Sequence, residues 1–163
     1  MIGRAAKYVP PKHLYPCTNC GMAPMDRDIA LAKLQAPLQE RLQHYLPLLA
    51  PGATVQMDTD LAMSTLARTQ ANGVIESGPV QDLSFGAREQ FGLISRFAYA
   101  DLLQQAGRPT LLILDDALVH SDSSRLAQMK RVLFDAAQRH QVLLFTCHPQ
   151  DWRDMGVAVR SLN

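Results

Sequence analysis

The apolar positions of the chain change their period part-way along it. Between Ala36 and Leu49 they recur at helical spacing, with Pro37 in the first turn and Pro47 near the end, which predicts an amphipathic helix. Three short runs follow, each bounded by turn residues: 53–58, 61–68 and 73–76. Such runs are typical of a small antiparallel meander.

The second half of the chain predicts a helix followed by a strand, a helix and a strand. Apolar residues at helical spacing begin after Ser84 and stop at Gly107, a favourable residue just past a helix end. The continuous apolar runs 110–114 and 141–146 predict strands covered on both faces. Residues 123–139, between them, have the pattern of a helix. A strand, helix and strand of this length make a crossover, so we expect parallel strands in an α/β fold.

Composition narrows the class of protein without indicating a function. The chain has 163 residues, of which 47% are hydrophobic, and a formal net charge of +1. That charge predicts no general attraction to nucleic acid. The apolar runs are too short to cross a membrane, and no signal peptide is visible. Three cysteines, an odd number, indicate no disulfide framework, so we expect a cytoplasmic protein.

Two acids and a histidine follow the two predicted parallel strands. Asp115 and Asp116 end the first strand, and Cys147 and His148 follow the second. Ligands of parallel sheets bind beyond the carboxyl ends of the strands, so we expect these side chains at one edge. The acid pair either holds Mg²⁺ beside a phosphate or caps the next turn in water. The histidine has its own alternative, as an ordinary surface or core residue.

Two helix starts carry residues that suit either capping or anion binding. Ser84 and Gly86 precede the long helix, where free N–H groups and the helix dipole attract phosphate. The alternative is an ordinary N-cap serine followed by a flexible turn. Asp122, between two serines, is cap material for the next helix.

The motifs resemble, in their order, those of a known ATPase class. The segments DLSFGAREQ, TLLILDDALVHSD and QVLLFTCHP are similar to the C-terminal lobe of ABC-type ATPases of the SMC, RecF and RecN class, and most similar to YhaN-type proteins. The resemblance covers residues 36–163. It implies an α/β lobe with a parallel βαβ core, a small antiparallel meander and flanking helices.

The resemblance implies that LSFGA, residues 83–87, is the signature motif of this lobe. Ser84, Phe85 and Gly86 would then meet the γ-phosphate of ATP held by the opposite subunit. Asp122 would belong to the D-loop, which crosses the dimer interface. A homodimer through this signature and D-loop face is therefore also implied.

Three residues at the strand ends would serve the nucleotide of their own head. The resemblance implies that Asp115 is the Walker B acid, which orders Mg²⁺ through water. Asp116 would be the general base that holds the attacking water, and His148 the switch histidine that senses the γ-phosphate. ATP and Mg²⁺ are the cofactors that these roles imply.

The chain departs from the family pattern at several points. Phe85 replaces a glycine, Ala87 replaces a common glutamine, and Asp116 stands where most ABC proteins have glutamate. No G-x-x-x-x-G-K-[ST] loop occurs, so the chain has no cradle for the α- and β-phosphates. A Walker A-bearing partner lobe is therefore implied, and the chain alone should not hydrolyse ATP.

Two functions are compatible with these motifs. In the first, the chain is part of an ATPase that acts with its partner in DNA repair, maintenance or defence, and the DNA part rests on the resemblance alone. In the second, the chain is a non-catalytic module that binds a partner head and regulates it. The retained motifs favour the first function, and the missing Walker A loop favours the second.

The first 35 residues form a separate segment, which the prolines predict to be irregular. Residues 5–36 resemble the C-terminal tail of cobalamin-independent methionine synthase-like proteins, which implies that Cys20 corresponds to a zinc ligand. His13, Cys17 and Cys20 offer at most three local donors, whereas a closed zinc site needs four. Reduced, free thiols are therefore the first expectation, and zinc held by Cys17 and Cys20 is the alternative. Joined to the ATPase lobe at 36–163, this segment indicates a fusion or a truncated gene.

Overall fold

The computed structural model describes residues 27–161 and gives a mixed α/β fold. Its elements, in chain order, are α1 (Arg27–Leu49), β1 (Ala53–Met57), β2 (Met63–Thr69), β3 (Ile75–Pro79), α2 (Phe85–Gln105), β4 (Leu111–Asp115), α3 (Ser123–Ala137) and β5 (Gln141–Phe145). Short 3-10 helices cover Val80–Asp82 and Pro149–Met155. No helix within residues 27–161 is long and apolar enough to cross a membrane.

Helix α1 is longer than the sequence pattern predicts. It begins at Arg27, so residues 27–35 are helical rather than irregular, and Pro37 lies inside the helix rather than in its first turn. Leu31 and Leu34 are half-buried against the core. Their burial offsets the missing hydrogen bond and the steric clash that an internal proline costs.

The predicted antiparallel meander is confirmed. β2 lies in the middle and pairs with β1 on one side and β3 on the other. β1 is an edge strand, and α1 covers that edge: the side-chain amide of Gln39 donates to the carbonyl of Val55, and that of Gln35 donates to the carbonyl of Met57 at 3.3 Å. Covering the edge satisfies backbone groups that an open edge would leave unpaired.

The predicted crossover of two parallel strands is also confirmed. β4 and β5 pair in parallel, with Ile113 opposite Leu143, and α3 connects them. Asp122 caps α3, because its carboxylate accepts a hydrogen bond from the N–H of Arg125 at 2.9 Å. Helix α2 ends as expected before Gly107, whose φ of 74° a glycine adopts without steric strain.

The prediction that β4 and β5 are covered on both faces is wrong. Leu111 and Ile113 are 46% and 59% exposed, and Leu143 and Phe145 are each 40% exposed. The alternate residues of β4, Leu112 among them, are buried. Within residues 27–161 the helices therefore cover one face of this small sheet, and the other face is apolar and open.

The hydrophobic core lies between α1, α2 and the covered faces of the two sheets. Its largest fully buried side chains are those of Tyr45, Phe97, Leu38, Leu42, Leu46, Leu93 and Ile94. These seven come from α1 or α2, and the next largest, Met129, Val55 and Val132, come from α3 and β1. Helices α1 and α2 are thus the rigid support on which the start of α2 and the end of β4 are held.

Candidate functional site

The carboxyl ends of β4 and β5 bring the predicted acid pair beside the predicted histidine segment. Asp115 pairs with Phe145 in the parallel register, and the N–H of Asp116 donates to the Phe145 carbonyl at 2.9 Å. The N–H of Cys147 donates to Asp116 Oδ1, also at 2.9 Å. His148 follows directly, and its N–H donates to the Thr146 hydroxyl at 2.9 Å. The acids and the histidine therefore lie at one edge of the sheet.

Asp116 is held in a conformation that few residues adopt. Its φ is 45°, in the left-handed region that aspartate and asparagine tolerate better than most residues. The hydrogen bond from the Cys147 N–H lowers the pKa of Asp116, and His148 lowers it further. The same carboxylate raises the pKa of the Cys147 thiol. Asp116 is therefore ionised at neutral pH and points in a fixed direction.

The turn after the acids is strained, and helix α2 holds it in place. Leu118 is buried with a φ of 71°, which is an outlier for a bulky residue. Its N–H donates to Glu89 Oε1 of α2 at 3.1 Å, and Gln90 of α2 donates to the Ser121 hydroxyl at 3.0 Å. Glu89 Oε2 is buried without a partner among the residues that the structure describes. Helix α2 therefore fixes the turn that follows Asp116.

The start of α2 packs directly on the segment that follows the strained turn. Ser84 is the N-cap residue, and its Oγ accepts a hydrogen bond from the N–H of Ala87 at 3.4 Å. The ring of Phe85 meets the ring of His120 edge-on, with centroids 5.1 Å apart. The capping role that the sequence offered as an alternative for Ser84 is thus present, and it leaves the side chain exposed at the helix start.

Gly86 is needed because the backbone at His120 comes very close to it. A Cβ at Gly86 would lie 2.8 Å from the His120 carbonyl oxygen, whereas one at Gly92, also in α2, would meet nothing within 4 Å. We expect Gly86→Ala to lower the free energy of unfolding by roughly 1–3 kcal/mol, because backbone must shift. Gly92→Ala should raise it by about 0.5–1 kcal/mol, because alanine favours a helix interior.

Urea unfolding of the two glycine variants and the unchanged chain measures this difference. Equal midpoints for Gly86→Ala and Gly92→Ala would show that the close approach of α2 to His120 does not constrain the fold.

Arg125 joins the two motifs that the sequence predicts on separate helices. Its Nη1 donates to Ser84 Oγ at 3.0 Å, and its Nε lies 3.3 Å from Asp122 Oδ2. Sequence reasoning placed Cys147 at this edge without giving it a role, and it did not select Arg125 or Glu89, because no spacing rule relates residues that meet only through the fold. Their sole sequence signal is proximity to the motifs: Glu89 lies inside LSFGAREQ, Cys147 precedes His148, and Arg125 follows Asp122 by three residues.

The described residues fit part of a site for Mg²⁺ and a nucleotide. Asp115 and Asp116 offer carboxylate oxygens, which Mg²⁺ takes together with phosphate oxygens and waters. Asp115 is exposed and Asp116 is partly exposed, so in this lobe no burial cost demands a cation. Ser84 starts a helix without an acid in its first turn, which suits a phosphate. No group of three metal-ligating side chains occurs within residues 27–161.

The cysteines proposed for zinc cannot be placed in this site. His13, Cys17 and Cys20 lie outside the described residues, and so does most of the segment that resembles methionine synthase-like proteins. Their behaviour stays a prediction from the sequence.

Comparison with known proteins identifies relatives of unassigned function. The uncharacterized protein Rv1278 of Mycobacterium tuberculosis is 37% identical over 103 residues, which are 63% of this chain and 11% of that relative. The uncharacterized protein YhaN of Bacillus subtilis is 39% identical over 69 residues, 42% of this chain and 7% of YhaN. The chain therefore spans about a tenth of the length of the curated relatives it matches. No protein-family model matches it.

Solved structures give the fold. One solved structure comes from work on the ATP-driven dimerization and DNA-stimulated activation of SMC ATPases. It aligns with a TM-score of 0.54 and 14% identity, over 82% of this chain and 84% of the other. The SMC head domain of Thermotoga maritima aligns with a TM-score of 0.53 and 16% identity, over 77% of this chain and 44% of the other. The chain has the fold of an SMC ATPase head domain. At these identities the likeness to SMC heads shows the fold alone.

Proposed function

We propose that this chain is the C-terminal lobe of an SMC-like ATPase head, which completes an ATP site only together with a Walker A-bearing lobe. One observation carries the proposal. The acid and histidine edge of β4 and β5 is bonded, through Glu89 and the turn at Leu118, to the helix that Ser84 starts. Two regions with different expected roles in ATP hydrolysis are thus mechanically connected in one lobe.

Each proposed site residue has a role that its surroundings support. Asp115 would hold Mg²⁺ through water, and Asp116, ionised and oriented by Cys147, would accept a proton from the attacking water. His148, at the same edge, would contact the γ-phosphate. Magnesium, when bound with ATP, would neutralise the phosphate charge, and the chain's residues would position the water and exclude other geometries.

The signature side would serve a second nucleotide, held by the opposite head. Ser84 would donate its hydroxyl hydrogen to a phosphate oxygen, with Phe85 and Gly86 forming the backbone around it. Asp122, next to Ser84 through Arg125, would contact the opposite head as the D-loop residue. This arrangement supports a dimer that closes on ATP.

The open apolar face of β4 and β5 supports a partner lobe packed on this sheet. Leu111, Ile113, Leu143 and Phe145 form that face, and a two-stranded sheet is seldom stable without more strands or a covering layer. In this proposal the Walker A-bearing lobe covers the face and brings its phosphate-binding loop to the acid edge.

Mixing the chain with a Walker A-bearing lobe of the same class, as a separate chain or a fusion, tests the function. We expect no ATP hydrolysis by the chain alone and hydrolysis by the pair. Ile113→Asp should weaken docking and reduce turnover, because it places a charge in the apolar contact. Val74→Asp is the matched control: Val74 is 52% exposed in the turn between β2 and β3, away from this face, and turnover should not change.

Hydrolysis by the pure chain that Asp116→Asn abolishes would contradict the proposal and require another nucleotide site. Equal losses in Ile113→Asp and Val74→Asp would show that the β4 and β5 face is not the docking surface.

A non-catalytic regulatory module is the second candidate, favoured by the absence of a Walker A loop from the sequence. The two candidates differ in one outcome. A regulatory lobe carrying Asp116→Asn would still change the activity of a complete partner ATPase, whereas a catalytic lobe would lose its effect. The resemblance supports a setting in DNA repair, maintenance or defence in the cytoplasm, and the charge of the chain adds nothing to it.

A further inference from the structure

We propose that Arg125 is a phosphate-binding residue of the signature side, a role that rests on the proposed function above. Its guanidinium would bind an oxygen of the terminal phosphate that the opposite head presents to Ser84. The basis is the position of one side chain, which bridges the signature serine and the D-loop aspartate at 3.0 Å and 3.3 Å.

The hydrogen bonds around Ser84 turn its hydroxyl into a donor. Ser84 Oγ accepts one bond from the N–H of Ala87 and another from Nη1 of Arg125. A serine oxygen has two acceptor positions and one hydrogen, so the hydrogen is left to point away from both donors. A phosphate oxygen without hydrogen at neutral pH is an acceptor, so it can accept a hydrogen bond from the Ser84 hydroxyl. Arg125 therefore orients Ser84 for an anion.

The guanidinium itself has donors left over. Arginine has five N–H bonds in a rigid fork, and here Nε faces Asp122 while Nη1 gives one bond to Ser84. The remaining N–H bonds have no partner among residues 27–161, and the side chain is 42% exposed. A planar fork of this kind binds phosphate through two parallel hydrogen bonds.

Asp122 holds the guanidinium of Arg125 in place and leaves the remaining N–H groups available for a ligand. The carboxylate also accepts the N–H of Arg125 through its other oxygen at 2.9 Å, so backbone and side chain of Arg125 are both fixed. In a dimer the phosphate would meet a cation that is already oriented, and little rotamer entropy would be lost on binding.

The test is ATP-dependent dimerisation of the complemented heads, measured by analytical ultracentrifugation. Heads carrying Asp116→Asn, which slows hydrolysis, keep the nucleotide intact. We expect Arg125→Gln to weaken the ATP-dependent dimer at least about tenfold, because a charge-assisted hydrogen bond is lost, while ATP binding by a single head is unchanged. Arg125→Lys should restore part of the affinity, because it keeps the charge and loses the fork.

Arg88→Gln is the matched control. Arg88 lies one turn into α2, where it is exposed, and its side chain makes no hydrogen bond to Ser84. Urea unfolding of each variant alone shows whether the fold is kept. Equal weakening by Arg88→Gln and Arg125→Gln would assign the effect to general charge and overturn the proposal.

The outcomes separate this proposal from the one on which it rests. If the unchanged heads dimerise with ATP and Ser84→Arg blocks the dimer, but Arg125→Gln does not weaken it, only the role of Arg125 is wrong. If the unchanged heads form no ATP-dependent dimer, the proposed function fails, and the role of Arg125 fails with it.

Discussion

Asp101→Ala is expected to lower the free energy of unfolding by about 3–5 kcal/mol, because it leaves two buried side chains without their hydrogen-bond partner and Arg139 without its ion pair. Asp101 lies on α2 with its side chain 5% exposed. His140 Nε2 lies 2.6 Å from Asp101 Oδ1, and Arg139 Nε lies 3.2 Å from the same oxygen. A loss of this size is a large part of the stability of an ordinary domain.

The cluster around Asp101 joins all three helices, so its loss should destabilise the whole fold. Tyr45 of α1 donates to Asp101 Oδ2 at 2.9 Å, and burial raises the pKa of this tyrosine well above its ordinary value, so the hydroxyl keeps its proton. Arg139, just after α3, donates to the Tyr45 oxygen at 2.9 Å and to Asp135 at 2.7 Å. Every polar atom in such a network depends on its neighbours.

Urea unfolding of the full chain measures the effect, and two further variants make it specific. Asp101→Asn keeps the shape and removes the charge, so it should fall between the unchanged chain and Asp101→Ala, and it is informative if the alanine variant does not fold. Asp154→Ala is the comparison on the surface. It removes the carboxylate whose Oδ1 lies 2.6 Å from Lys130 Nζ, and this aspartate is 68% exposed. Its midpoint should stay near that of the unchanged chain. A similar midpoint for Asp101→Ala would contradict the structural importance of the cluster.

The elements of the fold could be predicted because their signals are local. Turn residues between short apolar runs predict the meander. Two apolar runs around a helical pattern predict the parallel pair, and the structure moves the bounds of this pair by at most one residue. The exposure of Ile113 and Phe145 could not be predicted in the same way. An apolar run shows that a surface is to be covered, but the run is the same whether this chain or a partner covers it.

The start of α1 and the Asp101 cluster were missed for opposite reasons. Pro37 is a strong local signal against a helix interior, but the packing of residues on both sides of it outweighs the cost of the proline. Asp101 and His140 have no local signal at all, since they lie 39 residues apart and meet only after α2 and the end of α3 pack together. Burial of a charged residue is a property of the tertiary structure, and periodicity alone does not reveal it.

The sequence predicts which residues make up the candidate site, but it predicts only part of the structure that holds them in place. Asp115, Asp116 and His148 lie at one edge, as strand order requires. Their roles in ATP chemistry stay predictions. The hydrogen bonds from the Leu118 N–H to Glu89 and from the Cys147 N–H to Asp116 could not be predicted, because the side-chain pattern does not reveal the positive φ of the turn that they stabilise.

Asp116→Asn, in heads complemented by a Walker A-bearing lobe, is expected to reduce kcat roughly 10²- to 10⁴-fold and to leave ATP binding unchanged, because general-base catalysis contributes factors of that size. Asparagine is the right substitution for this position. It tolerates the φ of 45°, and its amide oxygen can still accept the N–H of Cys147. The turn should therefore keep its geometry while the base is lost. Asp154→Asn, an exposed acid far along the chain, is the control for charge alone.

A mixed dimer locates the defect in a single site. When one head carries Asp116→Asn and the other is unchanged, one of the two composite sites should turn over, so hydrolysis should fall to about half. Ser84→Arg on one head should instead disturb the site of the opposite head, since a long cation would fill the place where the partner's γ-phosphate docks. Placing both substitutions on the same head should then impair both sites, and placing them on opposite heads should impair one site twice and leave the other working. If the two arrangements hydrolyse ATP at the same rate, Ser84 and Asp116 do not act on different nucleotides, and Ser84 is only the cap of α2.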